Sequence, residues 1–352
     1  MNEVSGKRCV IYAEFIDHRA GIGSDMRMVI SSLKALGIKS TYANYNSNKA
    51  QKLKSLFKML VIGPKTCLNA DFVYSPHVLP RIYNLPNIVR VHDIFPLTNP
   101  EWFTLKQRVY FRIAIKSQLS SYFLFDSITT KNEFTNYFGK IDSNDFSIMY
   151  CSRRTLEIDD FCNTCEGCIR VNDKKEHEFA LAVGTVEPRK NYEFLIANWL
   201  QATEELDSKP ELIIVGSRGW KSSSLIKKLK KNANGVIWLG SICDSSLRIL
   251  YSTSTFFISA SKAEGFNLPV NEAISFGNQV VLSDIPVHRE LYETSAEYFQ
   301  LDSPQSFCQK VKELFLNPNQ SQPNVEIIGC KFDDQNVSTS VLRLAIEKAL
   351  AK

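Results

Sequence analysis

Two carboxylates, Glu264 and Glu272, bracket a segment that first bends and then turns helical, EGFNLPVNE. Gly265 lets the backbone approach a ligand closely. Asn267 is a favoured helix N-cap residue, and Pro269 is tolerated in a first turn, so the spacing predicts a helix that starts near 267–269. The amino end of such a helix offers unpaired N–H groups and about half a positive charge, which suits an anion. Glu264 then stands just before an anion pocket and Glu272 about one turn inside the helix. A phosphate-bearing ligand held in the middle would present hydroxyl-rich groups to a carboxylate at each end, the layout of sugar, diphosphate and ribose. A solvated loop acid and a glutamate that favours a helix's positive end explain an isolated pair of this spacing equally well.

A second candidate is LAVGTVEPRKNYEFLIANWL, which reads as strand, loop and helix with Arg189 and Lys190 in the loop. Breaking a sugar–phosphate bond leaves negative charge on the diphosphate, and something must neutralise it. Some sites use a divalent cation held by Asp-x-Asp, and no Asp-x-Asp occurs here. Arg189, Lys190 and a helix amino end can supply that charge, so no metal and no cofactor are expected. His92 closes the apolar run NIVRVHD, where it is either a ligand contact or a histidine bonded at a strand end. GIGS (21–24) reads as a tight turn before a helix. It is not G-x-G-x-x-G, because Met26 takes the third glycine's place, which argues against a nicotinamide cofactor. Cys162, Cys165 and Cys168 form C-x2-C-x2-C, but Asn172 stands where a fourth cysteine would be needed for an iron–sulfur cluster. A zinc site there could recruit Cys151 or His177, and free thiols are the expectation.

These residues need a scaffold. Short runs of Val, Ile, Leu and Phe alternate with helix-period segments: RCVIYA, NIVRVHD and FSIMY in a first series, then EFALAVG, ELIIVG, GVIWLG, TFFISA and QVVLSD. Such runs suit parallel strands buried on both faces, and the alternation implies two doubly wound sheets. A polar stretch over 151–177 without either periodicity serves as the linker. The expected organisation is a Rossmann-like domain over 1–160, a second over 178–334, and a closing helix over 335–352 that could cross back to the first. Ligands should bind where the carboxyl ends of the strands gather.

The 352 residues suffice for two cores. No apolar run approaches the roughly 18 residues that span a bilayer. The opening MNEVSGKRCVIYAEF lacks the pattern of a secretory leader, and nine cysteines, an odd number, fit a reducing cytosol. Residues 1–160 carry 21 Lys and Arg against 14 Asp and Glu, and the remainder 21 against 23. That basic surplus suggests an anionic partner for the first half, or a solvated face. NKAQKLKSLFKMLVIGPK places Leu53, Leu56, Phe57, Leu60 and Val61 on one helical stripe with Lys49, Lys52, Lys54 and Lys58 mostly opposite. Such a helix lies on an anionic membrane or packs on its own core. TLKQRVYFRIAIKSQLSSYF adds a second basic, aromatic segment. No recognition helix or stacking motif supports nucleic-acid binding.

VGTVEPRKN, VGSRGW, VIWLGSICD and EGFNLPVNEAISFGNQVVLSDIPVHREL, in this order, resemble the donor-binding half of GT-B retaining glycosyltransferases of family 4. The likeness is strong over 178–300 and weak in the first half, where VHDIFPLTNPEWF is similar to the mannosyltransferase-like branch that builds bacterial surface polysaccharides. The resemblance implies a GT-B fold, two Rossmann-like doubly wound parallel-sheet domains facing a central cleft. It implies a retaining, metal-independent transfer of a hexose from a nucleotide-diphosphate sugar, GDP-mannose favoured, to a polysaccharide or lipid-linked glycan. It places Glu264 near the donor sugar, Glu272 on the ribose, and Lys190 with Arg189 on the diphosphate. Backbone N–H groups at Phe266, Asn267 and Leu268 join the diphosphate contacts. His92 is placed near the sugar's primary hydroxyl, Gly21 and Gly23 on a loop reaching the phosphates, and Ser241 and Ile242 beside the base. Many members carry Gly-Arg where this chain has Gly184-Thr185, so Arg189 would have to supply that charge. It further implies a cytoplasmic enzyme, peripheral on the inner face of the membrane. A GT-B sugar-nucleotide epimerase and a catalytically silent homologue are the alternatives.

Overall fold

In the computed structural model, residues 4–12, 21–43, 69–81, 83–151, 156, 179–231, 235–318, 332 and 335–352 are described below. The lysine-rich stripe over 49–61, Cys162, Cys165, Cys168 and His177 lie outside them. The chain forms two compact units, residues 1–152 with 332–352, and residues 153–331.

The first unit holds six strands: β1 (Arg8–Tyr12), β2 (Lys39–Ala43), β3 (Phe72–Ser75), β4 (Asn87–Val91), β5 (Tyr122–Phe125) and β6 (Phe146–Ile148). They pair in parallel in the order β2-β1-β3-β4-β5-β6. Central strands are buried on both faces, and the two-residue period sorts their side chains between two cores. Tyr122 and Leu124 of β5 point to one core, Phe123 and Phe125 to the other. Helices α1 (Gly21–Ala35) and α11 (Gln335–Leu350) cover the first face, bringing Met26, Val29, Leu33, Leu342 and Ile346 together. The helices between them in this unit are α2 (Phe95–Thr98), α3 (Leu105–Ser117) and α4 (Ile128–Phe138). Ala114, Ile115 and Phe134 of α3 and α4 fill the second core. Thr104 opens α3 through a reciprocal cap with Gln107, which fixes where that helix starts.

GIGS departs from the sequence reading. The glycines do not form a loop or turn before the helix: Gly21 is its first residue and Gly23 lies within its first turn. Buried Met26 and Val29 give α1 an apolar face that carries the helix back through the glycines, their low propensity notwithstanding.

The second unit holds β7 (Phe179–Val183), β8 (Glu211–Val215), β9 (Val236–Gly240), β10 (Phe256–Ser259), β11 (Gln279–Ser283) and β12 (Glu297–Phe299), parallel in the order β12-β11-β10-β7-β8-β9. Its helices are α5 (Tyr192–Thr203), α6 (Ser223–Leu229), α7 (Asp244–Thr253), α8 (Leu268–Ser275), α9 (Pro286–Tyr292) and α10 (Pro304–Leu316). Trp199 and Leu195 of α5 pack with Phe307, Val311 and Leu314 of α10 over one face of the sheet. The chain leaves β7 towards β8 on one side and later returns as β10 on the other. The gap between β7 and β10 is therefore the point where the strand order reverses, and where loops diverge to admit a ligand.

Candidate active site

The loops that follow β7 and β10 meet at this reversal point. Pro188–Lys190 form one 3-10 turn after β7, ending in Asn191 with left-handed φ 54°. The amide of Lys262 donates to the carbonyl of Arg189 at 2.8 Å and ties the two loops together. Gly184 has φ +152°, and a Cβ there would stand 2.9 Å from Cε of Lys190. The glycine thus leaves room for the lysine to lie back across the strand end.

Four charged side chains gather there. Glu264 Oε1 accepts from Lys190 Nζ at 2.6 Å and from Ser261 Oγ at 2.7 Å, and its Oε2 pairs with Arg189. Arg189 also pairs with Glu187. Burial raises the pKa of Glu264, but Arg189 and Lys190 outweigh it and hold the carboxyl at about 2. Lys190 lies below its ordinary value because burial outweighs the pull of Glu264. The two cations are thus balanced by two carboxylates. Glu264 orients both cations.

The structure keeps the helix start and corrects its cap. Asn267 sits at the N-cap of α8 with left-handed φ 75°, yet its side chain does not cap the helix. Its Oδ1 instead accepts from Lys190 Nζ at 3.1 Å. With Glu264 this engages two of the three ammonium hydrogens, and the third has no partner among the described residues. The carbonyls of Phe266 and Asn267 accept from the Tyr292 hydroxyl at 3.4 and 3.2 Å, which fixes the bend that Gly265 begins. In the first turn of α8 Pro269 carries no N–H and the Val270 amide donates to the Asn267 carbonyl at 3.0 Å, which leaves the Leu268 N–H without an intrahelical acceptor. Glu272, also buried, points to the neighbouring helix, where Tyr251 donates to its Oε2 at 2.9 Å.

Arg189, Lys190, Glu264 and Asn267 are therefore brought together, with Gly265, Phe266, Leu268 and Glu272 on the same loop and helix. Ser241 and Ile242 follow β9, two strands from β7 at the sheet edge. Thr185 follows Gly184 at the end of β7, and Arg189 is the guanidinium on this loop.

His92, Gly21 and Gly23 belong to the first unit. His92 Nδ1 lies 2.7 Å from Asp126 Oδ2 and its Nε2 lies 2.9 Å from the carbonyl of Pro76. Both partners only accept, so both ring nitrogens carry protons and the ring is an imidazolium. Burial opposes that charge, but Asp126 raises the pKa to about 9. Asp126 also pairs with fully buried Arg90 at 2.9 Å, and Arg90 reaches Asp25 at 3.1 Å. Cys151 Sγ lies 3.3 Å from Arg90 and 3.2 Å from Asp126. His92, Asp126 and Cys151 are metal-ligand types close together. Their acceptor atoms are already engaged by a guanidinium and an imidazolium, and burial pushes the Cys151 thiol well up, away from the thiolate a metal needs. The donor set does not suit a cation.

Sequence reading missed Asp25, Arg90 and Asp126, because their pairing joins residues 65 and 36 apart. It also missed Ser259, Ser261 and His288 around Asn267. One signal was available for the histidine: His288, Leu291 and Tyr292 share an i, i+3, i+4 face that is buried.

Residues 178–317 match the family model described as glycosyl transferases group 1. The chain has the GT-B fold, and residues 178–317 are similar to the group 1 glycosyltransferases. The serotype-specific mannosyltransferase WbdA of Escherichia coli is 37% identical over 155 residues, 42% of this chain and 18% of WbdA. The O-antigen chain mannosyltransferase RfbU of Salmonella typhimurium is 29% identical over 250 residues, 69% of this chain and 64% of RfbU. The match thus spans under a quarter of the WbdA relatives and under two thirds of RfbU. Among solved structures, Anabaena Alr3699/HepE in complex with UDP and glucose aligns with TM-score 0.65 at 14% identity, covering 97% of this chain and 99% of that one. WaaG, a glycosyltransferase involved in lipopolysaccharide biosynthesis, aligns with TM-score 0.58 at 13% identity, covering 98% and 95%.

Proposed function

We propose that this protein is a retaining, metal-independent glycosyltransferase. It moves a mannose-like hexose from a nucleotide-diphosphate sugar, GDP-mannose favoured, to a growing polysaccharide or lipid-linked glycan such as an O-antigen chain. The observation that carries the reading is the buried Lys190, held by Glu264 and Asn267 beside the amino end of α8 with one ammonium hydrogen to give. In such a site the diphosphate accepts from Lys190 and from the Leu268 amide at the head of α8, so charge building on the leaving group meets fixed donors. Arg189 assists from its partly exposed position, and Glu264 keeps both cations aimed. Glu272 and Tyr251 supply a polar pair for the ribose. Ser241 and Ile242 lie beside the base, and His92, with Gly21 and Gly23 of α1, belongs to the acceptor-side domain. Support for the sugar comes from the named activities of WbdA and RfbU.

A peripheral seat on the cytoplasmic face of the membrane goes with a lipid-linked acceptor. No helix among the described residues is long and apolar enough to cross a bilayer. Helix α3 exposes Leu105, Val109, Arg112 and Lys116 along one side, a mixed apolar and basic stripe that suits an anionic surface.

A thermal-shift panel of UDP-, GDP- and dTDP-sugars tests the reading. A ligand at about 100 times its Kd stabilises by about 2.7 kcal/mol, so a raised midpoint with one sugar nucleotide is expected. No shift with any of them would overturn the donor assignment. Turnover that disappears in a chelator and returns with magnesium would overturn metal independence. Conversion of the donor without any acceptor would favour an epimerase.

A further inference from the structure

Lys190 is aimed by a relay that starts in the sheet. An ammonium only donates, so the amide atom of Asn267 facing it at 3.1 Å must be the oxygen. The amide nitrogen then points the other way, to Ser259 Oγ at 3.1 Å and to His288 Nε2 at 3.0 Å. Both amide hydrogens and one oxygen lone pair are engaged. His288 is fully buried, and its Nδ1 lies 2.8 Å from the carbonyl of Ser283 at the end of β11. A carbonyl only accepts, so Nδ1 carries the proton. An amide nitrogen only donates, so Nε2 is bare. The ring is neutral with one defined tautomer, and the polarity runs without a break from the backbone of β11 to the lysine. If His288 presented a proton at Nε2, the Asn267 amide would have to turn over, and its nitrogen would face the Lys190 ammonium. Burial, with Lys190 nearby, keeps His288 down at about 4 against the pull of Glu264 and Asp284.

We propose that His288 is a positioning residue for Lys190: through Asn267 it fixes which amide atom faces the ammonium and hence where the remaining N–H points. The relay stands on geometry within one domain. Its consequence for binding rests on the donor-site reading above.

Two measurements test it separately. With ¹⁵N-labelled histidine, the His288 resonances, assigned by their loss in His288→Gln, should show a neutral ring protonated at Nδ1 at pH 7. Asn267→Asp removes the donor facing Nε2 and keeps an acceptor for Lys190, so it should turn His288 into an imidazolium at the same pH. A ring protonated at Nε2 in the native protein, or one indifferent to Asn267→Asp, would overturn the relay. In calorimetric titrations with GDP and UDP, His288→Leu should weaken the tighter nucleotide about tenfold, and His288→Gln, which keeps an acceptor, less than about threefold. In the Lys190→Ala background His288→Leu should change affinity less than about twofold, because the two act as one unit. A full tenfold loss in that background would reduce His288 to a packing residue and overturn the proposal. If neither nucleotide binds the native protein, the donor reading fails, and the resonance experiment alone decides the relay.

Discussion

Each domain carries a buried quartet of two cations and two carboxylates. In the first, Arg90 and His92 face Asp25 and Asp126; in the second, Arg189 and Lys190 face Glu187 and Glu264. The difference lies in what remains unused. Arg90 sits inside strand β4 with no exposure, and both ring nitrogens of His92 are committed to Asp126 and a backbone carbonyl. The first quartet pairs inward and ties α1 to the ends of β4 and β5. In the second, the cations ride on a loop, and Lys190 has a hydrogen to offer beside a helix amino end. The first quartet is suited to stability, and the second, under the proposed function, to an anion.

The largest effect should come from breaking the first quartet. Arg90→Leu leaves Asp25 without its cation and Asp126 with His92 alone, and should cost about 3–5 kcal/mol of first-domain stability. Denaturant unfolding should show an early transition, with the second domain's transition unchanged. A single unshifted transition would mean that the pairing carries little. Lys190→Ala should do the reverse. Transfer should slow by roughly 3 kcal/mol, a little over a hundredfold, with a far smaller stability loss than Arg90→Leu. Near-normal turnover would remove the lysine from the mechanism.

The quartets should also part on the pH scale. His92 goes from about 6.5 unfolded to about 9 folded, so its contribution is complete below about 6.5 and is lost as pH rises through 9. That amounts to at most about 3 kcal/mol. Glu264 goes from about 4.5 to about 2, so its contribution is present above about 4.5 and fades as pH falls through 2. His92→Gln should flatten the alkaline limb of a stability–pH profile and leave the acid limb alone. Flattening on both sides, or on neither, would undo the contrast. The smallest effect is expected from Glu272→Ala, which should raise the donor KM several-fold with little change in kcat, since a ribose contact is made equally in ground and transition states. An unchanged KM would count against the ribose assignment.

How much of this was legible follows from the range of the interactions. FALAV, LIIV, FFIS and VVLS read as buried strands because an unbroken apolar run is a local signal, and all four are strands of the second sheet. Strand β2, KSTYA, was missed: it lies at a sheet edge, mostly exposed, and has no apolar run to see. FVYS and YFLF are strands of only four residues and were not read as strands. The glycines of GIGS misled, because a local turn preference yielded to the packing of α1. In the candidate site, the motif residues carry a sequence signal and their partners do not. Asn267 looked like an ordinary cap, and only the fold shows that its amide is turned away from the helix towards Lys190 and His288. Serines and a histidine at the ends of apolar strands carry no periodic mark, so the network that aims the lysine appears only when three strand ends meet.

The most direct test of the central claim separates phosphate from base. Calorimetric titration of the native protein and of Lys190→Ala, each with GDP and with guanosine, and the same with UDP and uridine, isolates what the diphosphate adds. The account predicts that the diphosphate tightens binding in the native protein and that Lys190→Ala removes at least about tenfold of that gain while nucleoside affinity stays put. Equal diphosphate gains in the two proteins would contradict it.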